Sequence, residues 1–301
     1  MSERTEVAGS ESISRETLGL LLGLTGVVLF GGTLPFTKLA LTAFSPAFVS
    51  FGRAAIASIA AAAVLVAFRK RLQARHVAML FLAGLLLVFG FPLMSTVAMQ
   101  TVPAAHGAVV LAILPLTTSI FAALIGGERP SALFWLCGVA GAMLVVFFAS
   151  RDSGMSLSCG DTWLFMAGVA ASLGYVISGK VARHMPGWEV ICWALVLTAP
   201  ISIVGTAILF QSEYLQAPAP AVAGLAYLSF GSMFLGFFAW NVGLAMGGIA
   251  RVSQVQLLQA FVTIAISAVM LGEVITTETV LFALAVMAIV AFGRKTRVAR
   301  R

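Results

Sequence analysis

The sequence predicts an all-α membrane protein with ten transmembrane helices, arranged as two five-helix repeats of inverted topology. The first observation is composition, since 60% of the 301 residues are hydrophobic and only 10% are charged. A soluble domain has about 25% charged residues. The second observation is that the apolar residues form long continuous runs, which favour helices over the short alternating segments of an outer-membrane barrel. The third is an internal repeat.

Ten apolar runs approach the roughly 20 residues that a membrane-spanning helix needs. The predicted spans of the first half are Leu18–Thr37, Ala47–Phe68, Val77–Met99, Ala104–Ile125 and Ala132–Ala149. Those of the second half are Thr162–Val181, Val190–Phe210, Ala221–Val242, Val252–Leu271 and Thr279–Phe292.

The segments outside the spans complete the predicted organisation. Residues 1–17 are expected to form a disordered cytoplasmic tail, and residues 294–301 form a basic cytoplasmic tail. The two five-helix repeats then occupy residues 18–150 and 162–293. A periplasmic linker at residues 151–161 joins them, because its Ser, Gly and Asp content is typical of a flexible loop.

The distribution of Lys and Arg predicts that both termini face the cytoplasm. Ten spans place both termini on one side, and fifteen of the 18 Lys and Arg residues then lie on that side. Only Lys38 and Arg151 lie on the other side, and Arg53 lies inside the second span. This bias follows the positive-inside rule of membrane proteins. It also accounts for the net charge of +7 without nucleic-acid binding.

A Gly-Glu pair indicates the internal repeat, because acidic residues are scarce in this chain. The pair Gly127-Glu128 between the fourth and fifth spans returns 145 residues later as Gly272-Glu273, between the ninth and tenth spans. The starts of the two halves also match, at an offset of 142, over Leu22–Ala40. Because each half has an odd number of spans, the second half must enter the membrane upside down relative to the first. Inverted repeats with a site near the membrane midplane are typical of secondary transporters.

The order of these motifs resembles a known family. The stretch Leu29–Lys38 (LFGGTLPFTK) and Arg53 early in the second span resemble the start of an EamA-like domain, and Pro115 with Gly127-Glu128 resembles its end. Two such domains in tandem resemble the ten-helix exporters of the drug/metabolite transporter superfamily, and most of all the branch that exports aromatic amino acids. The resemblance implies efflux of small metabolites across the bacterial inner membrane, without enzymatic activity and without a cofactor.

The lack of embedded acids restricts the substrate. All eleven Asp and Glu residues lie in the N-terminal tail, in loops or close to the ends of spans, whereas proton relays and cation sites usually need a buried intramembrane acid. A phosphorylated substrate would call for paired cations, and only Arg53 lies well within a span. The predicted partners are therefore the lipid bilayer and a neutral or zwitterionic small molecule with an apolar side chain. No oligomer is required.

Polar and aromatic residues within the spans are the candidate substrate-binding residues. Amides and hydroxyls are unfavourable in lipid and should point into the helix bundle or a wet cavity. Such residues also form hydrogen bonds between helices, and aromatic residues also serve in packing or in the interfacial belt, so both interpretations stay open. The candidates are Thr33, Phe36, Tyr175, Phe237, Trp240, Asn241, Gln254, Gln256 and Gln259.

Prolines within spans and two hinge acids are the candidate moving parts. Pro35, Pro92 and Pro115 lack an N–H, which frees a carbonyl one turn back and creates either a hinge or a plain kink. Glu128 and Glu273 lie at the ends of spans on opposite faces of the predicted protein. They are either local caps and partners of the basic flanks, or a pair of gates with one on each face.

These observations predict an inner-membrane exporter of aromatic or other large neutral amino acids that works by alternating access. A carrier or channel for another neutral amphipathic metabolite or drug is the alternative, and the coupling to protons is open. An intramembrane enzyme is disfavoured, because the sequence has neither paired embedded acids nor an H-E-x-x-H helix. Cys137, Cys159 and Cys192 lack the spacing of a metal or redox site.

Overall fold

A computed structural model describes residues 15–126, 128–130, 132–150, 158–247, 253–295 and 298–300. These residues form helices and their connections, together with one antiparallel strand pair. The strands are β1 (Glu128–Pro130) and β2 (Val298–Arg300), and Glu128 lies opposite Arg300 in their register. The predicted all-helical class is confirmed for the bulk of the described chain.

The helices of the first half coincide closely with the predicted spans. They are α1 (Arg15–Gly31), α2 (Thr33–Ala40), α3 (Pro46–Ala67), α4 (Val77–Gly84), α5 (Phe91–Ala98), α6 (Ala104–Leu111), α7 (Leu114–Gly126) and α8 (Ala132–Ser150). A 3-10 turn at Ala74–His76 precedes α4, and π-helical turns at Leu85–Gly90 join α4 to α5.

The helices of the second half follow the same plan. They are α9 (Cys159–Val181), α10 (Gly187–Leu209), α11 (Ala219–Ala226), α12 (Phe237–Gly247), α13 (Gln259–Leu271) and α14 (Thr277–Lys295). A 3-10 helix at Ser212–Gln216 precedes α11, and π-helical turns at Tyr227–Gly236 join α11 to α12. A second 3-10 helix, Ser253–Leu258, leads into α13.

Seven helical segments of the described chain are long and apolar enough to cross a membrane. They are Thr17–Ala40, Pro46–Ala67, Ala74–Ala98, Ala104–Ile125, Cys159–Val181, Gly187–Leu209 and Ala219–Gly243. Shorter apolar helices lie where the other three spans are predicted, at Trp135–Phe148, Gln259–Leu271 and Thr277–Ile289. The protein is therefore a multi-pass helical membrane protein, and the number of ten spans stays a prediction.

Side-chain caps explain where two of the helices begin. At the start of α3, Ser45 Oγ accepts a hydrogen bond from the backbone N–H of Phe48, and Pro46 occupies the first turn. At the start of α9, Ser158 Oγ accepts from the N–H of Asp161 at 3.1 Å, and the Asp161 carboxylate accepts from the N–H of Ser158 at 3.2 Å. This reciprocal pair is a capping box, which satisfies N–H groups that a helix start leaves unpaired.

The structure moves three of the predicted segment boundaries. The capping box starts α9 at Cys159, so residues 159–161 of the predicted linker are helical, and residues 151–157 lie outside the described residues. Helix α1 begins at Arg15 within the predicted N-terminal tail, whose residues 1–14 are also outside the description. Helix α14 extends to Lys295, and β2 occupies part of the predicted C-terminal tail.

Helices from the two halves pack against each other throughout the bundle. Helix α3 packs along α10, α8 along α14 and α6 along α13. Helix α1 packs along α12, while α9 packs against α4 and α5. The approach of α1 to α12 is close because Gly243 has no side chain: a Cβ there would lie 2.7 Å from the amide nitrogen of Gly23 and 2.8 Å from the carbonyl oxygen of Gly19. The halves therefore interdigitate.

Candidate functional site

Interrupted helices surround one internal cavity. Five cavity-lining residues each follow an interruption of regular α-helix: Thr33 after Gly32, Phe91 after the turns at Leu85–Gly90, Leu114 after Ala112–Ile113, Phe237 after Tyr227–Gly236, and Gln259 after Ser253–Leu258. Irregular backbone at membrane depth is tolerated where it is buried in protein or lines a cavity. Interrupted helices also form the central binding sites of many transporters. The interruptions of the helices and the cavity therefore lie at the same position in the bundle.

The cavity has two adjoining lobes that share Phe30, Thr33, Phe91, Leu114 and Gln259. The first lobe extends between α6 and α13, and the second extends between α3, α9 and the turns before α12. Each lobe has a volume of ≈ 20 Å³, which is room for about one water molecule. In this conformation the cavity is a narrow space, and it would have to widen to hold a larger molecule.

Arg53 is a cation in the lining of the second lobe, and its side chain is only 2% exposed. Helix α3 carries it about two turns from its start, and its Nη2 donates a hydrogen bond to Ser232 Oγ at 3.1 Å. Ser232 also shares a 2.8 Å hydrogen bond with Thr33 Oγ1. The Nε and Nη1 groups of Arg53 have no hydrogen-bond partner among the described residues. The Ser232 hydroxyl, itself bonded to Thr33, thus holds one side of the guanidinium, and the Nε and Nη1 groups are buried without a partner among the described residues.

Two of the predicted amides, Gln256 and Gln259, also line the cavity. Gln256 lines the first lobe and is 7% exposed, and Gln259 lines both lobes. The Nε2 of Gln256 has no partner among the described residues. Thr263, one turn beyond Gln259, lines the first lobe and is also buried. The side chain of the third predicted amide, Gln254, lies outside the described residues.

Aromatic rings form much of the second lobe. Tyr175 and Phe237 both line it, with ring centroids 6.1 Å apart, and the ring of Phe30 lies 4.9 Å from that of Phe237. Tyr175 also packs against the two largest clusters of buried hydrophobic residues. The aromatic wall is therefore held from behind by the core of the bundle.

Three of the predicted binding residues lie away from the cavity lining. Phe36 stacks on Tyr227 with ring centroids 3.8 Å apart. Trp240 is 4% exposed and packs behind Phe30 within a buried cluster. The carbonyl oxygen of Asn241 lies against Gly187 at the start of α10. The structure does not bring these three side chains together with Thr33, Tyr175, Phe237, Gln256 and Gln259.

The predicted hinge prolines all lie near interruptions. Pro35 is buried in the first turn of α2, directly after the break at Gly32. Pro92 is buried in the first turn of α5 and lines the second lobe. The backbone of Pro115 lies in the first turn of α7, and its side chain is outside the described residues.

Of the two predicted gate acids, the structure describes the side chain of Glu273 and only the backbone of Glu128. Glu273 Oε1 accepts a hydrogen bond from the N–H of Ala104 at 2.8 Å, and Oε2 accepts from the N–H of Ala105 at 2.9 Å. Glu273 therefore caps the start of α6 in this conformation. The backbone of Glu128 lies in β1, and its side chain is outside the described residues.

The sequence-based candidates omit Arg53 and Ser232. For Arg53 a signal exists, because an ionisable residue inside a membrane span is by default a candidate for function. Ser232 has no comparable signal, because a serine in an apolar helix usually bonds a carbonyl of its own helix. Ser58, Ser229 and Ser267 do so here.

Comparison with known proteins extends these observations. The EamA-like transporter family matches the chain twice, over residues 17–151 and 158–292. "Uncharacterized transporter YdeK" of Bacillus subtilis (strain 168) is 39% identical over 284 residues, which cover 94% of this chain and 99% of the relative. "Uncharacterized transporter YyaM" of the same organism is 25% identical over 262 residues, with coverage of 83% and 85%. A "Probable terminal-alkyne amino-acid exporter" of Streptantibioticus cattleyicolor is 24% identical over 253 residues, with coverage of 82% and 84%.

A protein of known crystal structure shares the fold, with a TM-score of 0.64 at 20% identity over 94% of this chain and 99% of that chain. The family and the names of the bacterial relatives indicate transport rather than catalysis. Together with the long apolar helices, they place the protein in the bacterial inner membrane as a multi-pass transporter. The chain therefore belongs to the EamA-like transporter family.

Proposed function

We propose that the protein exports amino acids with aromatic or other large neutral side chains, and related small metabolites, by alternating access. The observation that carries this proposal is the cavity, because both halves of the chain line it. Phe30 and Thr33 come from the first half, and Tyr175, Phe237 and Gln259 come from the second. Its walls are apolar and aromatic, and its polar groups are hydroxyls, amides and one guanidinium. This lining suits a molecule with an apolar side chain and a small polar head.

Helix packing supports a proposed arrangement of ten spans in two inverted repeats. The pairs α3–α10, α6–α13 and α8–α14 join the second, fourth and fifth spans of one repeat to their counterparts in the other. The contact of α1 with α12 joins the first span to the eighth, and the contact of α9 with α4 and α5 joins the sixth to the third. If the two repeats are exchanged, the contact between the first and eighth spans becomes the contact between the sixth and third spans, and the reverse. A pseudo-twofold axis between the repeats produces this pattern, and the odd number of spans proposed for each repeat would place that axis in the membrane plane.

Repeated backbone irregularities also support the duplication. The π-helical turns of the third span begin at Leu85, and those of the eighth begin at Tyr227, which is 142 residues later. The turn in the fourth span ends at Ile113, and the 3-10 helix of the ninth ends at Leu258, which is 145 residues later. These are the two offsets at which the sequence repeats. Irregular turns are uncommon inside helices, so their recurrence argues for a shared origin.

Contacts at the two ends of the bundle fit the proposed orientation. Lys180 Nζ donates a hydrogen bond to the carbonyl oxygen of Ile125 at 3.1 Å. Glu128, which follows Ile125 closely in the chain, lies opposite Arg300 in the backbone register of the two strands. The proposed topology places all four residues at the cytoplasmic end of the bundle, where the excess of Lys and Arg is expected. Glu273 lies at the opposite end, at the start of α6.

The class of substrate is supported by the lining and by one relative. The described residues that line the cavity include no Asp or Glu, so a polyamine or another organic cation would lack a counter-charge there. The Streptantibioticus relative is named as a probable amino-acid exporter. Both observations favour an amino acid over an organic cation.

Alternating access requires the closed cavity to open on one side at a time. The breaks at Gly32 and Ile113 and the turns before Pro92 allow one part of a span to move while the other stays packed. Glu273 holds the start of α6 at one end of the bundle. By its place in the repeat, Glu128 is the proposed gate at the other end.

Counterflow in proteoliposomes tests the proposed function. Vesicles that contain the purified protein are loaded with unlabelled phenylalanine, and uptake of labelled aromatic and branched amino acids is followed with and without a pH gradient. We expect saturable exchange of phenylalanine and its larger neutral analogues. Failure to exchange any aromatic or branched amino acid would refute the proposed substrate, and rapid ion flux that does not saturate would indicate a channel. The comparison of the two pH conditions measures proton coupling.

A further inference from the structure

Arg53 is a buried cation that lacks a counter-ion among the described residues. Its side chain is 2% exposed, and its hydrogen bond to Ser232 Oγ involves a neutral hydroxyl. The carboxylate of Glu189 pairs with Lys70, and that of Asp161 bonds His106, so neither of these two acids contacts Arg53. An unpaired charge inside a membrane protein is unfavourable, and residues of this kind usually mark a path for a substrate or an ion. Arg53 is also one of the residues that line the second lobe of the cavity.

The geometry of the guanidinium leaves one recognition edge available. A guanidinium carries five N–H groups, of which one is on Nε and two are on each Nη. Only one N–H of Nη2 is used by Ser232, while Nε and Nη1 have no partner among the described residues. Whichever hydrogen of Nη2 reaches Ser232, the remaining one completes an edge with Nε or with Nη1. Such an edge donates two parallel hydrogen bonds to a carboxylate.

The surroundings favour a singly charged organic anion. Arg53 is the one Lys or Arg among the described residues of the cavity lining, so a phosphate dianion would remain half neutralised. The rings of Phe30, Phe91 and Phe237 line the same lobe and would contact an apolar group attached to the anion. The hydrogen bond between Ser232 and Thr33 fixes the hydroxyl that holds Arg53 in place.

We propose that Arg53 binds the carboxylate of the transported molecule, with Ser232 and Thr33 as positioning residues. The proposal rests on the proposed function, because it takes the cavity to be the transport site. The substrate is then a carboxylic acid or a zwitterion whose carboxylate is essential for binding. An amide or alcohol of the same shape would not be recognised.

Ligand-dependent thermal stability of the purified protein in detergent tests this assignment without any transport step. The probes are 3-phenylpropionate and its neutral amide, 3-phenylpropanamide, which differ in charge but hardly in shape. We expect the acid to raise the melting temperature in a saturable way and the amide to have little effect, since a ligand that binds the native state stabilises it. An amide that acts as strongly as the acid, or an acid without effect up to its solubility limit, would overturn the assignment.

Variants locate the effect on Arg53. Arg53→Gln should weaken binding of the acid about ten- to hundredfold, the range expected for lost charge-assisted hydrogen bonds, and should abolish the preference over the amide. Arg183→Gln removes an exposed charge just after α9. It should leave the affinity for the acid and the preference for the acid over the amide unchanged. Ser232→Ala keeps the charge and removes its partner, so binding of the acid should weaken several-fold. An acid preference that survives in Arg53→Gln would contradict the proposal; if that variant does not fold, Ser232→Ala and the two probes decide.

The transport assay separates this proposal from the proposed function. Preferential binding of the acid, without exchange of any amino acid in proteoliposomes, would retain the Arg53 site and refute amino-acid export. Exchange of amino acids that their amides inhibit equally well would retain export and refute the Arg53 site.

Discussion

The carboxylate of Glu273 accepts a 2.8 Å hydrogen bond from the backbone N–H of Ala104, and its second oxygen accepts from the next N–H of the chain. Ala104 begins α6 in the first half, whereas Glu273 belongs to the second half. A negative charge at this position satisfies two unpaired N–H groups and interacts favourably with the helix dipole. The opposite end of the same span is contacted by Lys180, whose Nζ donates to the carbonyl oxygen of Ile125. Charged groups of the second half therefore hold the fourth span at both ends.

Removing the carboxylate of Glu273 should destabilise the protein. Glu273→Ala leaves two N–H groups at the start of α6 without their acceptor, and we expect a loss of about 1–2 kcal/mol in the free energy of unfolding. Glu273→Gln retains one side-chain oxygen and should lose less. Thermal melts in detergent, followed by tryptophan fluorescence, measure both. The control is Glu213→Ala, because Glu213 is exposed in a 3-10 helix outside the bundle. Equal melting temperatures for Glu273→Ala and Glu213→Ala would show that the cap does not contribute to stability.

The contact between α1 and α12 should tolerate no side chain at Gly243. A Cβ at this position meets backbone atoms of Gly23 and Gly19 at 2.7–2.8 Å, so Gly243→Ala must push the helices apart at about 1–3 kcal/mol. Gly179→Ala is the matched control, since a Cβ there meets no atom within 4 Å. It should be neutral, or stabilising by up to about 1 kcal/mol through helix propensity. Melting temperatures of the two variants test this, and an unchanged Gly243→Ala protein would contradict the observed contact.

Gln256 should act on substrate affinity and not on folding. Its amide is buried against the first lobe, and its Nε2 has no partner among the described residues. We expect Gln256→Ala to raise the half-saturation concentration in counterflow about three- to tenfold, the value of one net hydrogen bond, with an unchanged folded yield. Gln216→Ala, at an exposed position before α11, provides the control. Wild-type kinetics in Gln256→Ala would remove this amide from the substrate site.

The natural cysteines provide a test of the proposed topology. Cys159 is exposed at the start of α9, whereas Cys137 and Cys192 are buried. Ten spans with cytoplasmic termini place Cys159 in the periplasm, so a membrane-impermeant maleimide should label intact cells and should not label Cys159→Ser. In that background Arg183→Cys, at the other end of α9, should react only after permeabilisation. The reverse pattern of labelling would overturn the proposed orientation.

The long apolar helices were predictable from the sequence because the partition of apolar residues into lipid is a property of a continuous segment. The prolines also marked three of the interruptions, at Pro35, Pro92 and Pro115, since a missing N–H acts locally. The interruptions before α12 and α13 were not predictable in this way. Their irregular turns at Tyr227–Gly236 and Ser253–Leu258 contain no proline.

The candidate site was predictable only as a set of residue types. Gln256 and Gln259 were chosen because an amide within an apolar span must avoid lipid, and both line the cavity. Trp240 and Asn241 carry a similar signal, but the rotation of α12 turns them towards other helices. The side-chain type shows that a residue avoids lipid, whereas the neighbour it finds depends on helix rotation and crossing.

By itself, the sequence determined the class of protein, the positions of the long apolar helices and the repeat, because hydropathy, charge flanks and spacing are local properties of the chain. Only the tertiary structure decided that Arg53 meets Ser232, 179 residues away, inside a cavity lined by both halves. That meeting depends on how α3 and the π-helical turns before α12 are rotated against each other. A one-residue change in helix register would turn either side chain by about 100°, which no local pattern records.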